Sequence, residues 1–143
     1  MSSARLYNPE VLALAAGLAG WPYDPAMGWT GAARSASCGS VLAMSLSMDG
    51  DGRVDRVGLR AQACAIGQAS AAIFAKGAIG ATRADIERTG KALADWLTNG
   101  GPLPGWPGLD AIAAAAAFPG RHGTILLPWK AALDALPTGD APR

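Results

Sequence analysis

The order of hydrophobic patterns along the chain predicts an α+β fold, with helices packed on one face of a small antiparallel sheet. A helical pattern comes first, two strand-like segments joined by a turn follow, and the rest of the chain is mainly helical in pattern. Strands and helices that are segregated along a sequence are typical of this architecture. The chain has 143 residues, a length at which one domain buries its own core. We therefore expect a single domain over residues 1–143.

The first helix is predicted to begin at Pro9. Asn8 is a favourable residue for the N-cap position, and proline is favoured at the first helical position. Five apolar residues would then share one face of this helix: Val11, Leu12, Leu14, Ala15 and Leu18. The segment 20–31 that follows is rich in glycine, proline and tryptophan, which predicts a loop leading into the sheet.

A β-hairpin is predicted in the middle of the chain. Residues 38–48 alternate apolar side chains with small or polar ones, which is the period of a half-buried strand. Residues 49–52 read Asp-Gly-Asp-Gly and predict a turn, after which residues 53–61 alternate again. Cys38 precedes the first strand and Cys64 follows the second, so strand pairing would bring both cysteines to the same end of the hairpin.

The remaining helices are predicted from apolar patterns and breakers. Thr82 and Asp85 resemble a capping box, which places a helix start there. Pro128 is expected to interrupt the last helix early. The predicted helices cover residues 64–79, 82–97, 109–117 and 124–136.

Cys64 is a candidate functional residue because it stands where a strand pattern ends and a helix of small residues begins. The first turn of a helix offers unpaired N–H groups and the positive end of the helix dipole, and both stabilise a thiolate. The competing interpretation is core packing, since free cysteine is often buried. His122 lies in a predicted loop beside two glycines, where it is either a solvated side chain or a ligand or base.

Charge and hydropathy exclude several classes of partner. The net charge is +1 and the charged residues alternate in sign, so no basic stripe for nucleic acid and no polybasic membrane patch is expected. No run of about 18 apolar residues could span a bilayer, and the amino terminus lacks the pattern of a signal peptide. We expect a cytoplasmic protein whose two cysteines are reduced.

Three short segments carry a more specific signal. They are Tyr7-Asn8-Pro9, Cys38-Gly39 before a strand, and Cys64-Ala65-Ile66-Gly67-Gln68-Ala69-Ser70 after the hairpin. Together they resemble the U-type iron–sulfur cluster assembly scaffolds, which comprise the NifU amino-terminal domain, IscU and SufU and are called the U-type scaffold family below. The resemblance spans most of the chain. It implies a SufE/NifU-like fold, in which a three-stranded antiparallel sheet is packed against helices.

The same resemblance implies a function and a set of ligands. In that family, three cysteines and an aspartate bind zinc or hold a transient iron–sulfur cluster, and a cysteine desulfurase supplies the sulfur. Cys38 and Cys64 match the first two cysteines. Ser40 stands in place of the aspartate and Thr124 in place of the third cysteine, with His122 two residues before it. The resemblance thus implies a scaffold rather than an enzyme, with a desulfurase and recipient apo-proteins as partners.

Two thiolates are fewer than the four donors that tetrahedral zinc or iron requires. Three arrangements stay open at this point. His122 completes a site with an open position, a homodimer supplies two cysteines from each subunit to a bridging cluster, or no metal binds. In the last case the fold would serve as an interaction module, or Cys38 and Cys64 would relay sulfur as a dithiol.

Overall fold

The computed structural model describes residues 6–36 and 38–137. Its helices and strands follow the predicted order, and the predicted α+β class is confirmed. They are α1 (Pro9–Ala16), β1 (Trp29–Arg34), β2 (Val41–Met48), β3 (Val54–Gln62), α2 (Ala65–Ala78), α3 (Arg83–Asn99) and α4 (His122–Ala135). Short 3₁₀ segments cover Gly17–Gly20, Pro25–Met27, Leu109–Ala117 and Pro119–Arg121. In the described part of the chain, no helix is long and apolar enough to cross a membrane.

The sheet has three antiparallel strands in the order β1-β2-β3. β2 and β3 form the predicted hairpin, with Val41 opposite Gln62 at the open end. At the closed end, the carboxylate of Asp49 accepts hydrogen bonds from the backbone N–H groups of Asp51 and Arg53, at 2.9 and 3.0 Å. The carboxylate therefore stabilises the predicted turn directly, as turn-forming aspartates do.

β1 begins at Trp29, inside the segment 20–31 that was expected to be a loop, so that expectation was wrong at its end. The strand lacks large alternating side chains because α4 lies directly against it. A Cβ atom on Gly31 would lie 2.5 Å from the backbone nitrogen of Ala135 and 2.6 Å from the carbonyl oxygen of Ala131. This close approach requires small residues, and small residues remove the alternation that identifies a strand.

The core lies between the sheet and the helices. α4 packs on β1 and β2, while α2 packs on β3 and on α4. The rings of Phe74, Trp106 and Trp129 contact one another at this junction, with centroid separations of 5.4, 5.2 and 5.3 Å. The alternating apolar side chains of β2 are at most 2% exposed: Leu42, Met44 and Leu46. The helices therefore bury the face of the sheet that the alternation predicted.

Two predicted helix starts are confirmed by their caps. The side chain of Asn8 accepts a hydrogen bond from the N–H of Val11 at 2.9 Å. Thr82 and Asp85 form a reciprocal capping box, in which each side chain accepts from the backbone N–H of the other. The hydrogen bond from Thr82 N–H is the main reason why the pKa of Asp85 is lowered.

Two helical predictions were wrong in detail. Residues 109–117 form 3₁₀ turns with a kink at Ile112 instead of an α-helix. α4 begins at His122, two residues earlier than predicted, and continues through Pro128. Proline has no N–H to donate to the carbonyl of Thr124, but Pro128 and its neighbour Trp129 are buried. Packing of the helix therefore outweighs the missing hydrogen bond.

Candidate functional site

The connection between β1 and β2 carries Cys38. The N–H of Ser35 donates to the carbonyl of Ser40, and the N–H of Gly39 donates to the carbonyl of Ser35, both at 2.8 Å. Gly39 has a φ of 72°, a left-handed conformation that glycine adopts without steric cost. Cys38 is exposed. The connection therefore presents the Cys38 sulfur to solvent beside the start of β2.

Hydroxyl groups surround this sulfur. The Cys38 thiol donates to Ser35 Oγ at 3.4 Å, and Ser40 Oγ lies 3.1 Å from the sulfur. Both serines are buried beneath the exposed cysteine, at 4% and 5% exposure. The hydrogen bonds of Ser35 and then of Ser40 lower the pKa of Cys38 to about 7, and burial opposes them only in part. A large fraction of this side chain is therefore a thiolate at neutral pH.

Cys64 is the N-cap residue of α2, as its position in the sequence predicted. One residue, Ala63, separates it from β3, and the last residue of β3, Gln62, is paired with Val41 at the start of β2. Cys64 is half-buried, and its side chain forms no capping hydrogen bond. Cys38 and Cys64 are both free thiols, and the sheet places them at the same end.

Arg121 adds a positive charge next to the two thiols. Its Nε and one terminal nitrogen donate to the hydroxyl of Tyr7, at 3.3 and 3.1 Å. The pKa of Arg121 is raised mainly by Tyr7, first through this hydrogen bond and then electrostatically, and to a smaller extent electrostatically by Cys64 and Cys38. Arg121 is therefore the cation that an anionic group at the two sulfurs would face.

Thr124 completes the surroundings of Cys38 from the first turn of α4. Its side chain is fully buried, and its hydroxyl oxygen has no hydrogen-bond partner among the described residues. The hydroxyl lies close enough to act weakly on the Cys38 sulfur, without the geometry of a full hydrogen bond. A Cβ atom on Gly67 would lie 2.2 Å from it. The Thr124 hydroxyl thus lies against the first turn of α2, the helix that Cys64 caps.

No model of a protein family matches the chain, and no curated protein matches it significantly. Solved structures do match. The amino-terminal part of a nitrogen-fixing NifU-like protein from Brucella abortus superposes with a TM-score of 0.83 and 27% identity, over 92% of each chain. The chain therefore shares the fold of this NifU-like protein, as the resemblance to the U-type scaffold family implied.

A second solved structure shares this fold. It is a putative iron–sulfur cluster assembly scaffold protein for the SUF system from Fervidobacterium islandicum, with a TM-score of 0.81, 20% identity, and coverage of 94% of this chain and 98% of that one. A hypothetical protein also matches, with a TM-score of 0.72 and 18% identity over 87% and 95% of the two chains. The predicted three-stranded, NifU-like fold is therefore confirmed.

Two ligand positions differ from the U-type pattern that the sequence resembles. The resemblance assigns Ser40 to the position of the family's aspartate and Thr124 to that of its third cysteine. The structure places both residues beside Cys38: Ser40 Oγ is 3.1 Å from the sulfur, and the Thr124 hydroxyl acts on the same atom. Both replacements therefore exchange an anionic ligand for a neutral hydroxyl next to one sulfur.

His122 has a different contact. Its Nε2 lies 2.8 Å from the carbonyl oxygen of Ala116, and because a carbonyl only accepts, this contact assigns the proton to Nε2. Within residues 6–36 and 38–137, no three or more His, Cys, Asp and Glu side chains are grouped so that they could hold a metal ion. The donors present do not fit a closed metal site, and the ligand set Cys38, Cys64 and His122 stays a prediction.

Sequence reasoning did not single out Arg121, Tyr7 or Ser35 as site residues. Tyr7 lies in one of the segments that carry the family resemblance, which was the available signal for that residue. Tyr7 and Arg121 contact each other across 114 positions of sequence, and nothing in the pattern of either segment indicates that pairing. Ser35 belongs to a connection with no periodic pattern.

Proposed function

We propose that this U-type protein acts in iron–sulfur cluster assembly in the cytoplasm. In this proposal it accepts sulfur from a cysteine desulfurase and passes assembly cargo to recipient apo-proteins. It is a carrier, not an enzyme with turnover. The observation that carries the proposal is the exposed and partly ionised thiol of Cys38, at the same end of the sheet as Cys64 and beside Arg121.

The role of sulfur acceptor falls to Cys38. A thiol must be both ionised and accessible to attack a sulfur donor. Cys38 meets both conditions, since it is exposed and its pKa is lowered to about 7, chiefly by Ser35 and then by Ser40. Cys64 is half-buried at the N-cap of α2 and is less accessible to a protein donor.

The cargo would be iron or a nascent cluster, bound as substrate by Cys38 and Cys64. Cys₄ ligation is usual for a [2Fe–2S] cluster, so two chains with two thiolates each would provide the full set. The proposal therefore includes a homodimer as the cluster-bearing form. His122 would join the ligands only after its Nε2 leaves the carbonyl of Ala116, or through its other ring nitrogen.

Two measurements test the proposal. The reduced protein is incubated with a desulfurase and cysteine, and sulfur adducts on each cysteine are identified by mass spectrometry. Separately, it is incubated with iron and sulfide without oxygen, and bound iron and visible absorbance are measured. We expect the adduct on Cys38, and we expect Cys38→Ala and Cys64→Ala each to abolish iron uptake. Thr98→Ala, at the far end of α3, serves as the matched control.

Absence of both a sulfur adduct and bound iron in the unmodified protein would refute the proposal. That result would favour a U-type fold that serves only as an interaction module. Retention of iron by both cysteine variants would refute the assignment of the ligands.

A further inference from the structure

Three hydroxyl groups are gathered at the Cys38 sulfur, and we call Ser35, Ser40 and Thr124 the hydroxyl cluster. Ser35 Oγ and Ser40 Oγ lie 3.4 and 3.1 Å from the sulfur. All three side chains are at most 5% exposed. The Thr124 hydroxyl has no hydrogen-bond partner in the described parts of the chain, although a buried hydroxyl normally has one. It is therefore a buried donor available to a group at Cys38.

The chemistry of these groups suits an anion better than a metal ion. A serine or threonine hydroxyl keeps its proton at neutral pH and donates it, whereas zinc selects thiolate, imidazole and carboxylate ligands. Arg121 strengthens the contrast, because its guanidinium attracts an anionic sulfur and repels a cation. No third donor of the kind zinc prefers is grouped with the two thiols in the described residues.

We infer that Cys38 accepts and holds sulfur within the hydroxyl cluster with no metal ion bound, and that Thr124 is the residue that selects sulfur over metal. This inference rests on the proposed role of Cys38 as sulfur acceptor. The unpartnered hydroxyl of Thr124 donates to the added sulfur. The hydroxyls of Ser35 and Ser40, 3.4 and 3.1 Å from the original sulfur, donate to that sulfur once it has lost its proton. Arg121 balances the negative charge.

The transfer is a thiolate exchange. The Cys38 thiolate attacks the outer sulfur of a persulfide or polysulfide donor, a new S–S bond forms at Cys38, and the S–S bond of the donor breaks. The donor leaves as a thiolate or a shortened polysulfide anion, and Cys38 becomes a persulfide. One sulfur atom moves with no net oxidation, so neither a metal nor a further oxidant takes part.

The experiment uses the full chain, reduced and freed of metal by a chelator, with an inorganic polysulfide as the sulfur donor. The added sulfur atom on Cys38 and its rate of loss are followed by mass spectrometry. Zinc uptake is measured in parallel against a chromogenic chelator. The variants are Thr124→Val, which removes the hydroxyl at nearly constant volume, Thr124→Ser, which keeps it, and Ser40→Asp combined with Thr124→Cys. Thr124→Cys alone provides a second variant if the double one does not fold.

We expect sulfur on Cys38 of the metal-free protein and no zinc at one ion per chain. Thr124→Val should lose the added sulfur about fivefold to tenfold faster, the effect of one lost hydrogen bond, and Thr124→Ser should restore the slow rate. The variant with Asp and Cys at positions 40 and 124 should gain zinc.

Each contrary result has a distinct meaning. One zinc per chain in the unmodified protein, or sulfur uptake only when zinc is added, would overturn the inference and leave the proposed function standing. No sulfur on Cys38 with or without zinc would overturn the inference and also the proposed role of Cys38 as sulfur acceptor. If all Thr124 variants lost the added sulfur at the same rate as the unmodified protein, the role given to Thr124 would be refuted.

Discussion

Replacement of Gly67 by alanine is expected to destabilise the protein, because Gly67 of α2 lies directly against the buried Thr124 of α4. The new Cβ would lie 2.2 Å from the Thr124 hydroxyl oxygen and 2.8 Å from the Cβ of Ala63. Neither distance is tolerable for carbon. Thr124 is fully buried, so its side chain cannot rotate into solvent to make room.

Two opposing effects determine the size of this change. Overpacking of a filled core costs about 1–3 kcal/mol. Alanine gains up to about 1 kcal/mol over glycine inside a helix, and less in the first turn, where Gly67 lies. The expected net loss in the free energy of unfolding is about 1–2 kcal/mol. For a chain of 143 residues, that loss corresponds to a fall of roughly 3–7 °C in Tm.

Gly90→Ala provides a matched control with the opposite sign. Gly90 lies inside α3, and its new Cβ would lie 3.5 Å from the Cβ of Trp129, an ordinary van der Waals contact. This variant is expected to gain about 0.5–1 kcal/mol from helix propensity alone. Urea unfolding followed by circular dichroism compares both variants with the unmodified protein.

A double-mutant cycle tests the cause of the effect. Thr124→Ala removes the oxygen that the new Cβ would meet, so it should recover at least about 1 kcal/mol in the Gly67→Ala background while costing stability on its own. Two results would refute the reasoning: a Gly67→Ala protein as stable as the unmodified one, or an equal effect of Thr124→Ala in both backgrounds.

Three further predictions concern single groups. Alkylation of Cys38 by iodoacetamide, followed on its own peptide, should reach half its maximal rate near pH 7, and Ser35→Ala should move this midpoint to higher pH because it removes the hydrogen bond that stabilises the thiolate most. Thr124→Val should leave the free energy of unfolding in urea unchanged or raise it by up to about 1 kcal/mol, since the lost hydroxyl has no partner among the described residues. Ser70→Ala should instead lower the free energy of unfolding by about 1 kcal/mol, because it removes a buried 2.7 Å hydrogen bond. Thr82→Ala should lower Tm by about 3 °C, because it removes the N-cap of α3, and a Tm equal to that of the unmodified protein would contradict the capping box.

The sequence predicted those helices and strands whose formation depends on residues that are close together in the chain. The hairpin was predictable because residues on β2 and β3 alternate, and the helix starts at Pro9 and Arg83 were predictable because their caps lie within three residues of them. Cys64 at the start of α2 was predicted for the same reason. Each of these signals is contained in one short segment of the chain.

β1 and the surroundings of the cysteines depend on contacts between distant segments. Position 31 requires a glycine because the backbone of α4 lies against it, and α4 is about a hundred positions away in the sequence. Arg121 and Tyr7 are 114 positions apart in the sequence, and only the folded chain brings them into contact. The family resemblance brought Thr124 to notice as a missing cysteine, but only the fold reveals that its hydroxyl is buried and unpartnered.

The contact between Tyr7 and Arg121 joins positions that are 114 residues apart, so it can form only late in synthesis. A ribosome releases Cys38 and Cys64 long before α4, so the nascent chain carries two cysteines without Arg121 or Thr124 around them. The pKa of Cys38 is lowered mainly by Ser35 and Ser40, which lie within three residues of it in sequence, but Arg121 and the unpartnered hydroxyl of Thr124 are added only when the start of α4 is made. The surroundings of Cys38 therefore become complete only when Arg121 and Thr124 have been made. A chain truncated before residue 121 would keep both thiols but would lack the guanidinium and the buried hydroxyl.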